Sequence, residues 1–66
     1  MARVYVARTV AQSDRGADVA WCVVESDSWR SPSGRLYRVT IQGETRVREA
    51  WTLEDAMRIV RAAVGD

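Results

Sequence analysis

RLYRVTIQGETRVREAWT, Arg35 to Thr52, is the stretch that decides the fold. Tyr37, Val39 and Ile41 alternate with Leu36, Arg38, Thr40 and Gln42, the period-two pattern of a strand with one apolar face. Gly43 marks a turn. A second alternating run follows, with Thr45, Val47, Glu49 and Trp51 on one parity and Arg46, Arg48 and Ala50 on the other. A two-residue turn at Gln42–Gly43 would set Val39 against Arg46 and Ile41 against Glu44, mixing core with solvent. A three-residue loop or a glycine bulge pairs Val39 with Val47 and Ile41 with Thr45 instead. In that register Arg38, Arg46 and Arg48 gather on the face away from the core, with Thr40 and Gln42 between them. Glu49 then falls on the opposite face and leaves the arginine row uncompensated.

Downstream of this hairpin the period changes from two to three and four. Leu53, Ala56, Met57, Val60, Ala63 and Val64 form one apolar stripe, which predicts a helix opening at Thr52. Thr52-Leu-Glu-Asp55 resembles a capping box, and Glu54 and Asp55 suit the positive end of a helix. Gly65 ends it. The stripe is expected against Tyr37, Val39, Ile41, Val47 and Trp51. Upstream, two more strands are expected, Arg3–Val10 and Asp18–Glu25. The second is apolar on both parities (Val19, Trp21 and Val23; Ala20, Cys22 and Val24). That pattern belongs to a central strand, or to one covered on its second face by another element or subunit. The linker Ala11–Ala17 turns at Gly16. The linker Ser26–Gly34 holds the only proline, four serines and Trp29 beside Arg30. Trp29 is expected either folded over the sheet edge or in contact with a partner. The fold class that follows is α+β: an antiparallel three- or four-stranded sheet packed against one C-terminal helix, β-β-β-β-α, in one small domain over residues 1–66.

Composition narrows the function. A chain of 66 residues has a thin core, and its stability must come from packing, self-association or a partner. One cysteine and no histidine exclude an internal disulfide and leave no Cys/His zinc site. Cys22, in the apolar run Trp21–Val24, reads as a small core hydrophobe. No spacing brings two carboxylates together for acid–base work, and no glycine-rich phosphate loop is present. No enzyme activity, cofactor or metal is expected. No apolar run approaches the ~18 residues needed to span a bilayer. Met1–Val4 does not resemble a signal peptide. A soluble, cytoplasmic protein with no membrane contact is the expectation.

Two binding readings remain. Net charge is only +1, but every cation is an arginine, a planar fork suited to phosphates, base edges and carboxylates. In the first reading Arg30, Arg35, Arg38, Arg46 and Arg48, with Gln42, line a basic sheet face that binds double-stranded DNA in the major groove. In the second the chain is a protein-interaction module, of the kind phages or mobile elements encode as inhibitors or antitoxin-like proteins. It would dock Trp29 and its arginines on an acidic protein surface, or form a homodimer.

The stretch Tyr37 to Val60 resembles the arm-type, AP2-like DNA-binding domain of phage and transposon integrases. It has a Gly turn, basic alternation, an aromatic residue and then Thr-x-x-(Asp/Glu)-Ala opening a helix. The resemblance implies a sheet laid in the major groove over a C-terminal helix, with Arg38, Arg46 and Arg48 on the reading face. It makes Gly43 the turn, Trp51 the core aromatic, and Thr52 and Ala56 the helix start. The additional N-terminal strand and the absence of lysine depart from that pattern, and integrase activity is not implied.

Overall fold

A computed structural model describes residues 7–65. Four strands, β1 (Arg8–Gln12), β2 (Trp21–Asp27), β3 (Arg35–Ile41) and β4 (Arg48–Ala50), form one antiparallel sheet in chain order, and a helix, α1 (Leu53–Val64), follows. This is the β-β-β-β-α arrangement that the alternating patterns predict. Each strand pairs with the next, so local connections suffice.

β2 and β3 pair from Trp21 opposite Ile41, through Val23 opposite Val39, to Asp27 opposite Arg35. Their odd-numbered residues share one face, where Val23, Val39 and Ile41 are buried with Ala50 of β4 and Ala56 and Val60 of α1. Their even-numbered residues form a second, open face, over which no described element packs. The helix lies over β3 and β4. β2 is interior in the sheet, as its two-sided apolar pattern predicts.

Strand boundaries differ from expectation at both early strands. β1 begins at Arg8 and continues to Gln12; residues 3–6 of its expected span lie outside the described residues. It carries a bulge at Val10, since Thr9 opposes Val24 and Ala11 opposes Val23. β2 spans Trp21–Asp27 rather than Asp18–Glu25. Ser13 explains where it starts. Its N–H donates to the Trp21 carbonyl (2.9 Å) and its Oγ accepts from the Trp21 N–H (3.1 Å), closing the strand pair there and leaving Asp14–Ala20 outside it.

The hairpin register is off by one residue. Tyr37 opposes Ala50, Arg38 opposes Glu49 and Val39 opposes Arg48, in place of the expected Val39–Val47 pair. Gly43, at φ 88°, is the third residue of a turn closed by the Glu44 N–H donating to the Ile41 carbonyl (3.0 Å). Glycine adopts that left-handed angle at little cost. The chain then passes Thr45–Val47 outside the ladder, which shortens β4 to three residues. A one-residue slip moves every side chain of a strand to the other face. Small Ala50 therefore meets the helix, while Val47 and Trp51, expected in the core, are 53% and 47% exposed. On the helix, Ala56, Met57, Val60 and Val64 of the expected stripe face the core and Ile59 joins them, while Leu53 and Ala63 are exposed.

The helix ends follow local chemistry. Thr52 is the N-cap, its side chain accepting from the Asp55 N–H at 3.1 Å. Gly65, at φ 77°, caps the other end by donating its N–H to the Arg61 carbonyl (3.1 Å).

Candidate functional site

The register divides the expected arginine row. Arg38 points to the open face, where Glu49 stands opposite it and pairs with it (Nε–Oε2 3.4 Å). Arg48 lies opposite Val39, on the helix side, and pairs with Glu44 (Nε–Oε1 3.2 Å). Arg46 sits in the connection between β3 and β4. The expectation that these three share one face, with Glu49 on the other, is therefore corrected. Arg35 is also partnered, by Asp27 at 3.2 Å and Glu25 at 3.6 Å. Gln42 is occupied by the fold: its Oε1 accepts from the Ala20 N–H at 3.0 Å, and its own N–H donates to the Ala20 carbonyl at 2.8 Å. Among the described residues, the expected binding arginines without a carboxylate partner are Arg30 and Arg46.

Trp29 behaves differently. It is 75% exposed, the most exposed large hydrophobic side chain described, and does not fold back over the sheet. The loop beneath it is held by its own serines. The Ser28 N–H donates to the Gly34 carbonyl (2.9 Å), the Gly34 N–H to the Ser31 carbonyl (3.0 Å), and the Arg30 N–H to Ser28 Oγ (3.3 Å). Ser31 is buried, and its Oγ shares a hydrogen bond with Ser33 Oγ (3.1 Å). Gly34, at φ 75°, lets the chain re-enter β3. The Arg30 guanidinium lies 5.2 Å from the Trp29 ring centroid, within cation–π range. The loop thus displays an aromatic ring and a paired cation from a preformed base.

One polar cluster was not foreseen. Glu25 is an acid at the end of an apolar run, and the strand order surrounds it with donors. The Tyr37 hydroxyl donates to its Oε2 at 2.8 Å, and the Arg8 Nε donates to its Oε1 at 3.3 Å. Its side chain is only 12% exposed. The Tyr37 hydrogen bond does most to hold the Glu25 carboxyl below the usual carboxylate range; burial opposes it, and the Arg35 and Arg8 charges add to it. The same hydrogen bond raises the Tyr37 hydroxyl above its ordinary value. Every partner in this cluster is internal, so it ties three strands together rather than presenting a site. No group of three or more candidate metal ligands occurs among the described residues. No helix among them is long and apolar enough to cross a membrane.

No family model, curated protein or solved structure matches the chain.

Proposed function

We propose that the chain is a small, non-enzymatic protein-binding domain whose anchor is the Trp29–Arg30 tip of the β2–β3 loop. The observation that carries this reading is the 75% exposure of Trp29 on a loop closed by its own hydrogen bonds. An exposed indole is tolerated at no gain to the monomer, whereas burying it in a partner's pocket recovers a large apolar area. Because the loop is already ordered, little further entropy is lost on docking. Tryptophan and arginine are also the residue types that dominate protein hot spots. Among the described residues Arg30 has no acidic partner, so the fitting surface is a pocket with a carboxylate at its rim. A cytoplasmic inhibitor or antitoxin-like role, of the kind phages and mobile elements encode, suits such a chain. It would act by occupying a partner's surface.

The duplex DNA reading has weaker support. Binding through Arg35, Arg38 or Arg48 would require phosphate to displace a carboxylate already in place. Of the arm-type resemblance, the sheet-on-helix architecture has a counterpart here. Among the described strand residues, however, the open face offers one arginine, Arg38, against Glu49. Arg30 and Arg46 lie at opposite ends of β3, whose seven residues span about 23 Å.

The test is differential capture from host lysate with the wild type, Trp29→Ala and Arg30→Ala. A protein retained by the wild type and weakened about 30-fold or more by Trp29→Ala supports the reading, a loss of ~2 kcal/mol expected of a hot-spot tryptophan. Capture that ignores Trp29→Ala sinks it.

A further inference from the structure

We propose that the open face of the sheet is a self-association surface, and that its occupant is a second copy of this chain. The face is built by the even-numbered residues of β2 and β3, with Cys22, Val24 and Leu36 half-buried along it. Val47, 53% exposed, and Glu49 extend it beyond β3, and with Val24, Arg38 and Thr40 they line a shallow depression. No described element covers it. β2 is thus apolar on the helix side, where Val23 is buried, and apolar again on the side that faces water. The second apolar side contributes nothing to the monomer's core.

The choice of a second copy follows from charge. β2 and β3 place one charged residue, Arg38, on this face, and its neighbour across the ladder is Glu49. Among the described residues the face has no surplus of either sign with which to select an acidic or a basic partner. It is its own complement. Across a two-fold axis, Arg38 of one copy meets Glu49 of the other and the reverse, as an isologous interface requires. A net charge of +1 adds little repulsion between copies. Size sets the strength. The strands hold five, seven, seven and three residues, so at ~3.3 Å per residue and ~4.8 Å spacing they make a face of roughly 350 Å² per copy. The roughly 700 Å² that two such faces bury falls short of the about 1,000 Å² of a stable specific interface, which makes the dimer weak and transient. This interface uses neither Trp29 nor Arg30, so its failure and the failure of the loop reading are distinguishable.

Sedimentation equilibrium from about 1 to 500 μM on the full chain tests it, with the micromolar range expected of a small interface. The average mass should rise from 7.4 kDa toward twice that value. Val24→Glu and Thr40→Arg should each weaken dimerisation at least ten-fold with an unchanged far-UV CD spectrum. Thr40 is exposed in the monomer, so its variant carries the test if Val24→Glu does not fold. Arg38→Glu should weaken the dimer, and Arg38→Glu combined with Glu49→Arg should restore it. Alkylation of Cys22 should slow several-fold as concentration passes through the transition. A monomer across the whole range overturns the proposal. So does a dimer indifferent to Val24→Glu and Thr40→Arg, or one lost on Trp29→Ala instead.

Discussion

Glu25 and Tyr37 are the residues whose chemistry the fold alters most, and they make stability depend on pH at both ends of the scale. A carboxyl held below its usual range contributes stability that is present above about pH 4.5 and fades as pH falls through its lowered value. A tyrosine raised above its usual range contributes stability that is present below about pH 10 and fades as pH rises through its raised value. Tyr37→Phe removes the main cause of the first effect and the whole of the second. Its cost in melting temperature is therefore expected to be larger at pH 7 than at pH 3, and to shrink again in strong alkali. Thermal scans of both proteins at the three pH values check this; an equal loss at pH 7 and pH 3 contradicts it. Glu25→Gln should return the Tyr37 hydroxyl toward its ordinary range, read by tyrosinate absorbance at 295 nm. Neither residue stood out in sequence. Glu25 acquires its partners only when Arg8 and Tyr37 arrive on adjacent strands, and no local pattern encodes that meeting.

At the scale of single elements, what could be read from sequence is what local chemistry determines. The helix cap was legible because Thr52 and Asp55 are three residues apart and make their bond within one turn. Thr52→Ala should cost about 1 kcal/mol, and in a domain of this size that lowers the melting temperature by ~4–8 °C. The facing of β3 was legible for the same reason: its alternation is unbroken and central. The facing of β4 was not, because it depends on how many residues the turn leaves unpaired, and three more follow Glu44 before the ladder resumes. Hydrophobicity favoured Val47 and Trp51 as core residues, whereas packing against Ala56 and Val60 admitted the small Ala50 instead. The two registers make opposite predictions. Ala50→Leu should overpack the helix–sheet seam and cost ~1–3 kcal/mol, while Val47→Ala should stay within about 0.5 kcal/mol of the wild type. Urea midpoints decide between them, and the reverse order would restore the register expected from alternation. Trp29 was legible as a loop aromatic, but its exposure depends on how Ser28, Ser31 and Ser33 brace the loop.

For the molecule as a whole, the decisive quantity is how much positive charge is free to meet a polyanion. Five arginines engaging phosphate would release counterions with a slope of log affinity on log salt near −4.5. Arg35, Arg38 and Arg48 already hold carboxylates at 3.2–3.4 Å. A phosphate replacing one of those carboxylates exchanges one anion for another, and the displaced acid is left facing the DNA. Of those five, Arg30 and Arg46 are the ones without a carboxylate partner among the described residues, which limits the slope from this set to about −2. Fluorescence anisotropy with a random duplex between 50 and 200 mM salt measures it. Weak binding with a slope no steeper than about −2, and unaffected by Arg38→Ala, is the expected outcome. A slope near −4.5 that flattens on Arg38→Ala and Arg48→Ala would mean that the ion pairs open on contact, and would make duplex DNA the better reading of this sheet.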